Sequence, residues 1–440
     1  GGIVEYWSDP LDGEIRDDQG ISLNNPDTGM FMKYHLAGAY DSNIALLLSV
    51  GTSRKQAFEN ISEIFRNTRL KGENLSTNLQ FHYGLINWLI SQNVNAQPTT
   101  EFVAPYLALV GQLKETASQI DLEFAWNHIQ RKLLNEEDKS NATELAEILS
   151  TKKSLLLRPI ELLLSDPHLL SGWLSLNRDS YTLIDGRISL NENPIDLIYG
   201  AYHFLAMDYF SQRPAAERIW REDHELLEAA RSFYEELNMK LGSPCWVELT
   251  SLLSGNTAPK RIQSERLWRE IQSANKGFQA GLEILCILIA VGEKAGFGKL
   301  SVSSNLKIAI PKNLRDKSHQ ERMSKLLEPP PMESSNELLA QTGGMFYRRE
   351  SPDHPPFLKA GDHFEEGDPL YIIEVMKMFN KVYASFSGTV EEVLIEQDGV
   401  IVSQGQRLFR ITPDFVADPK SNKGIASSRA ASTEKLLKYF

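Results

Sequence analysis

The sequence predicts a multi-domain α+β protein. Mixed short strands and helices lead into a mostly α-helical middle, and a small all-β flattened sandwich ends the chain. Apolar residues recur at helical spacing from roughly 113 to 295. Three consecutive prolines followed by polar residues mark a boundary in "LLEPPPMESSNELLAQTGG", Leu326 to Gly344. Beyond it, glycine and aspartate turns separate short strand-like runs. The domain boundaries read from these patterns are 1–112, 113–325, a proline-rich linker at 326–343, a strand-rich domain at 344–412 and a flexible tail at 413–440 with a short final helix at "STEKLLKYF".

A chain of 440 residues leaves room for roughly two to four domains. Its formal net charge is −12, with a pI near 5.4. That balance lacks the basic footprint of nucleic-acid binding and disfavours docking on anionic membranes. The most apolar run, "GLEILCILIAVG", contains a glutamate and is too short to span a bilayer, so it is expected as a buried core helix. "GGIVEYWSDP" lacks the basic and apolar regions of a signal peptide, which makes the cytoplasm the expected compartment. Cys245 and Cys286 have no ligand-like spacing and are expected to be reduced core thiols.

At the front, "GGIVEYW" and "GMFMKYHL" have strand character, with "DPLDGEIRDDQG" supplying turn residues between them. "DSNIALLLSVG" and "SRKQAFENISEIFRNTRLKG" read as helices, the second with Ser53 as N-cap and Gly72 as terminator. In the middle, "AERIWREDHELLEAARSFYEELNMKLG" keeps apolar residues near i, i+3, i+4 and i+7 and ends in glycine. "SERLWREIQSANKGFQAGLEILCILIAVG" continues in that style. "LSVSSNLKIAIP" returns briefly to strand composition. None of the nine histidines falls in a zinc spacing such as HExxH. His203 and His224 sit on helical patterns as packing or solvated residues. No metal site is assigned.

The strand-rich domain repeats itself. Gly361, Phe364, Gly367, Leu370 and Ile373 recur 38 positions later as Gly399, Val402, Gly405, Leu408 and Ile411. Such pairing predicts a sandwich with two-fold pseudosymmetry in which each glycine serves an equivalent turn. The first half carries six extra residues within "RRESPDHPP", a proline-rich and charged protrusion. Between the halves lies "YIIEVMKMFNKVYA", which places Lys377 at the tip of the linking hairpin, flanked by Met376 and Met378. Lys377 then presents an exposed amine held by the sheet on both sides. The alternative is a solvated turn lysine between two core-filling methionines.

"EVMKM" inside this repeat resembles the attachment motif of biotin carboxyl carrier domains, and Gly343 to Ile411 is similar to such a domain from end to end. The protrusion resembles the "thumb" of carriers of the acetyl-CoA carboxylase type. The methionine pair argues against the related lipoyl domains. The resemblance implies covalent biotin on Lys377, with Glu374, Met376 and Met378 recognised by a biotin-protein ligase; Glu374 reads equally well as an exposed strand carboxylate. The front of the chain, in "GAYDSNIALLLSVGTSRKQAFENISEIFRNTRLKGENLSTNLQFHYGLI", resembles the C-terminal subdomain of biotin carboxylases. Tyr40, Asp41 and Ser42 enter a helix, Arg54 follows near a helix start, and Gly72 precedes a Thr77–Asn78 turn. Asp41 and Thr77 serve equally as plain helix caps.

Together these resemblances imply the carrier-bearing part of an ATP-dependent biotin carboxylase of acyl-CoA, acetyl-CoA type. Lys377-linked biotin takes a carboxyl group from bicarbonate and delivers it to an acyl-CoA. The alternatives are a non-catalytic scaffold or assembly protein and a lipoyl-type carrier. The resemblance to the C-terminal subdomain implies that ATP, Mg and bicarbonate belong to an N-terminal biotin carboxylase half outside this sequence and that no catalytic residue lies on this chain; no P-loop "GxxxxGK[ST]" occurs in it either. The implied partners are that half, the ligase, a carboxyltransferase subunit or domain, and a second copy of the chain in a homo-oligomer.

Overall fold

The computed structural model describes residues 2–17, 27–30, 32–36, 43–72, 75, 77–97, 99–205, 214–327, 333–334, 336–340, 343–365, 367–375, 378–384, 386–403, 405–414 and 419–439. The chain divides into two compact units, residues 1–79 with 328–423, and residues 80–327 with 424–440.

At the front, β1 (Gly2–Val4) pairs antiparallel with β4 (Tyr34–Leu36). β2 (Tyr6–Trp7) pairs with β6 (Leu70–Lys71), and β3 (Glu14–Asp17) with β5 (Leu46–Ser49). Val4 and Trp7 form a small core against Tyr34, Ile44, Leu47 and Leu70, and the Arg16 guanidinium lies 4.0 Å from the Trp7 ring centroid. The stretch from 41 to 51, expected as a helix, instead supplies strand β5. Three successive leucines carry no 3.6-residue period, and pairing with β3 supplies the backbone bonds. Ser53 does cap α1 (Arg54–Asn67), accepting the Gln56 N–H at 3.1 Å. Gly72 is not its terminator: α1 ends at Thr68, and β6 intervenes. A Cβ at Gly72 would meet the Ile3 carbonyl oxygen at 1.6 Å, so glycine is there for close backbone approach. Tyr40, Asp41 and Ser42 lie outside the described residues. Thr77 Oγ1 lies 3.5 Å from the Leu79 N–H, at the limit of a hydrogen bond.

The middle is helical as expected: α2 (Leu79–Ser91), α3 (Val103–Ser118), α4 (Leu122–Asn135), α5 (Lys139–Ser165), α6 (Pro167–Leu176), α7 (Pro194–Phe204), α8 (Pro214–Leu241), α9 (Trp246–Leu253), α10 (Glu265–Gln279), α11 (Cys286–Ala295) and α12 (Lys317–Leu327). Two hairpins interrupt it, β7 (Tyr181–Ile184) with β8 (Arg187–Leu190) and β9 (Ser301–Val302) with β10 (Ile308–Ala309), the latter in the predicted "LSVSSNLKIAIP". This unit begins within α2, well before residue 113, because Trp88 and Tyr106 pack with Phe102 in its aromatic core. Trp126, Trp173 and Trp268 are buried alongside them in the same unit. Residues 265–295 are long and apolar enough to cross a membrane by length and composition, and 61% of the most apolar window is buried inside the protein. Gly281, at φ +80°, breaks that stretch between α10 and α11. His203 is exposed, and His224 lies 3.7 Å from Glu228. Both cysteines are free. Cys286 is buried, but Cys245 is exposed at the start of α9 and is no core thiol.

The C-terminal residues form the helix expected at "STEKLLKYF", but it starts earlier than expected. They form α13 (Pro419–Leu436); its Thr433 and Leu436, with Leu437 just beyond it, are buried in the helical unit. The apolar residues of "STEKLLKYF" fasten the end of that helix.

The strand-rich domain is a two-sheet sandwich. One sheet runs β11 (Glu333–Ser334), β12 (Glu337–Leu339), β19 (Arg407–Pro413), β17 (Gly388–Val393), β14 (His363–Phe364). The other runs β16 (Met378–Tyr383), β15 (Pro369–Val375), β13 (Gly344–Tyr347), β18 (Val400–Val402). Phe346, Phe364, Leu370, Tyr371, Ile373, Val390, Val402, Leu408, Phe409 and Ile411 fill the space between them. The domain therefore begins upstream of Gly344. Leu338 and Ala340, expected in the linker, are buried in this core, and β12 pairs with β19.

Candidate functional site

The repeat read from the sequence is a structural two-fold. Gly361, Gly367, Gly399 and Gly405 all adopt positive φ, between +74° and +94°, a region costly for residues with a Cβ. Their bonds cross between the halves. Gly361 N–H donates to Val390 O at 2.7 Å, and Gly399 N–H donates to Phe346 O at 2.8 Å. Gly367 N–H donates to Ala384 O and Gly405 N–H to Ala340 O, both at 2.8 Å. Side chains repeat the pattern: Asp368 Oδ2 accepts from Glu365 N–H at 2.8 Å, and Gln406 Oε1 from Ser403 N–H at 2.9 Å. The acceptors also show that the repeat extends to "LLAQTGG" and "VYASFSG", related by 44 positions. The sequence reading matches Gly344 with Gly388 but stops there, because the three prolines upstream argue for a linker over 326–343.

The hairpin linking the halves consists of β15 and β16, in register to the pair Val375–Met378. Met376 and Lys377 join those two residues in sequence and lie outside the described residues, as do the side chains of Val375 and Met378. Glu374 does not stand free in solvent. Half-buried, it pairs across the sheet with Phe379 and Met345, and its Oε2 accepts the Tyr347 hydroxyl at 2.6 Å. That hydrogen bond, with burial and the neighbouring carboxylate charge, pushes the Tyr347 phenol up to about 12. Phe379 is 62% exposed, and its ring centroid lies 5.7 Å from that of Tyr347. Neither Tyr347 nor Phe379 carries a sequence signal of its own. Only the cross-strand register brings them beside the motif.

The insertion is ordered by its neighbours. Arg348 N–H donates to Asp398 Oδ1 at 2.6 Å, and Arg348 Nη1 to Glu396 O at 3.0 Å. Arg349 pairs with Asp398 at 2.6 Å, and Phe357 N–H closes the excursion on Arg348 O at 2.8 Å. Glu350 reaches Lys381 on β16 at 3.1 Å, with the Lys381 ammonium 5.5 Å from the Phe357 ring centroid. The protrusion is thereby pinned to the strand that follows the motif.

This geometry accompanies a match of the same segment to known proteins. Residues 343–411 match the family model described as "Biotin-requiring enzyme". Over 76 residues the chain is 45% identical to the biotin carboxyl carrier protein of acetyl-CoA carboxylase 2, chloroplastic, of Arabidopsis thaliana, covering 17% of this chain and 29% of that protein. Over 68 residues it is 47% identical to the biotin carboxyl carrier protein of acetyl-CoA carboxylase of Chlamydia trachomatis, covering 16% of this chain and 41% of that protein. The matched segment thus spans less than half of either relative. A solved single-chain, multi-domain long-chain acyl-CoA carboxylase aligns over 27% of this chain and 12% of its own at 19% identity, with a TM-score of 0.16, too low to inform the architecture.

The helical unit holds a separate cavity of about 730 Å³ between α5, α8 and α10, lined by Ile148, Leu155, Leu227, Ala274 and Phe278, with Lys152. Burial pushes the Lys152 ammonium down to about 7. Its three donors already bond Gly277 O at 3.2 Å, Phe278 O at 2.6 Å and Ala280 O at 2.8 Å. It solvates the end of α10 and offers no cation to a ligand.

Proposed function

We propose that Lys377 carries biotin in amide linkage and that this chain is the carrier-bearing part of a biotin-dependent carboxylase of acetyl-CoA type. The observation that carries this reading is the two-fold sandwich whose linking hairpin holds the Met376–Lys377 pair between paired strands. The similarity of residues 343–411 to biotin carboxyl carrier proteins supports it. Pairing at Val375–Met378 fixes the backbone on both sides of the motif, a frame suited to presenting an amine to a modifying enzyme. When attached, biotin supplies the carboxyl-carrying chemistry, taking up the group from bicarbonate at the expense of ATP and yielding it to an acyl-CoA. The chain's own residues hold and present it. Glu374, fixed by Tyr347, and the exposed Phe379 flank the attachment point and are assigned, with Met376 and Met378, to recognition by a biotin-protein ligase. The carrier has eleven acidic and seven basic residues between Gly344 and Thr412, so the biotin carboxylase and carboxyltransferase sites it visits are expected to present basic docking surfaces.

Intact-mass measurement after co-expression with a biotin-protein ligase tests this. A gain of about 226 Da is expected on the wild type and none on Lys377→Ala, whereas lipoylation would add about 188 Da. No gain on the wild type, or the same gain on the variant, overturns the assignment.

A further inference from the structure

The helical unit holds space that its own packing does not fill. The cavity between α5, α8 and α10 measures about 730 Å³, whereas a packed interior holds few voids larger than a water molecule. Leu155, Leu156, Ile195, Leu227 and Leu282 line it and are buried, forming its deep side. Ile148 and Phe278 line it half-buried.

One wall is kept bare. Ser273, Ala274 and Gly277 recur on one face of α10, and all three line the cavity. Gly277 lies in the last turn of that helix, and its φ is not positive. A Cβ there would meet only Ile148 Cδ1, at 3.7 Å, an ordinary contact. Neither packing nor backbone conformation asks for glycine, and alanine would favour the helix. What glycine allows at this point is close approach to the α10 backbone from inside the cavity.

The charges at the opening share one sign. Glu144 and Glu147, three positions apart on α5, and Glu270 on α10 line the cavity and are exposed. Glu270 pairs with Arg266 at 3.0 Å, but Glu144 and Glu147 have no ion-pair partner among the described residues. Among the described lining residues Lys152 is the one cation, and its three donors are occupied by the carbonyls of Gly277, Phe278 and Ala280. An entering carboxylate or phosphate would meet three carboxylates and no available cation. An ammonium would be drawn to Glu144 and Glu147.

We propose that this cavity is a binding site for a small amphiphile with an extended apolar body and a cationic end. The body lies against Gly277 and the buried leucines, and the cation at Glu144 and Glu147. The volume falls in the range of small-molecule pockets, about 300–1,000 Å³. It is too small for a partner's helix, since three turns about 10 Å across occupy about 1,300 Å³. The site is independent of the carrier reading, because every lining residue belongs to the helical unit.

Calorimetric titration of the full chain with decylammonium, decanol and decanoate tests this, each probe kept below its micelle-forming concentration. The three share one chain and differ only in the head group. Saturable one-to-one binding of decylammonium is expected, about tenfold tighter than decanoate, with decanol between them. Gly277→Leu, where a Cβ has room and the longer side chain fills the cavity, should weaken all three about tenfold. Glu144→Gln with Glu147→Gln, both at exposed positions, should narrow the gap between ammonium and carboxylate about threefold and leave decanol unchanged. Should Gly277→Leu fail to fold by circular dichroism, the glutamine pair decides alone. No saturable binding of decylammonium, equal affinity for decanoate, or an unmoved gap in the glutamine pair overturns the proposal. Unchanged affinities in a folded Gly277→Leu chain overturn it as well.

Discussion

In the first half of the sandwich, Gly361 and Gly367 donate their N–H groups to Val390 and Ala384. In the second half, Gly399 and Gly405 donate to Phe346 and Ala340. The same bonds are made twice, with partners exchanged across the pseudo-axis, and the symmetry-related Tyr371 and Phe409 stack on each other with ring centroids 6.4 Å apart. The halves part company at two places. Between Tyr347 and Leu358 the first half carries its protrusion, where the second runs on directly. The last strand of the first half turns back as the motif-bearing hairpin, while its counterpart β19 continues to Asp414 and on toward α13. What is duplicated builds the frame, and what is proposed to be functional sits where the duplication is broken.

The largest effect should come from the stacked pair. Phe409→Ala is expected to cost about 3–5 kcal/mol, as for other large-to-small changes in a packed core. Tyr371→Phe, which keeps the ring and loses the hydroxyl bond to Leu339 O, should cost about 1 kcal/mol. Urea melts of both variants check this, and equal costs would show that the axis is not packed as described. Next come the glycines. A Cβ at Gly361 or Gly399 meets nothing within 4 Å, so Gly361→Ala and Gly399→Ala should each cost about 1–2 kcal/mol from conformation alone. Thermal melts that separate the two by more than the cost of either would break the equivalence. The smallest effect belongs to the protrusion. The Lys381–Glu350 pair is partly solvent-exposed, so Glu350→Gln should change stability by less than about 1 kcal/mol. A loss above about 2 kcal/mol in chemical denaturation would mean that the protrusion holds the sheet together.

The sandwich was legible because its signal is chemical and repeated. Positive-φ positions demand glycine, buried positions demand apolar residues, and both recur at one spacing. The same logic stopped short at Leu338 and Ala340. Their partners lie 44 rather than 38 positions away, and three prolines upstream argue for a linker. At the front, "IALLLS" has no period to separate helix from strand, and long-range pairing with Glu14–Asp17 decided it. Gly72 looked like a helix terminator because close packing against Ile3 leaves no local trace in sequence. The tail read as flexible because its polar residues hide Arg429 and Thr433, whose partners at Ile120 and Asp121 are some three hundred positions away. Glu374 was singled out, but its partner Tyr347 emerged only with the strand register.

The most direct measurement is residue-level mapping of the modified chain. After co-expression with a biotin-protein ligase and proteolysis, tandem mass spectrometry should place a single biotinyl group on Lys377. Lys359 and Lys381 in the same domain should remain bare. A biotinyl group on either of those lysines, or a Lys377→Arg chain that still gains one in this domain, would contradict the claim that the broken point of the symmetry is the attachment site.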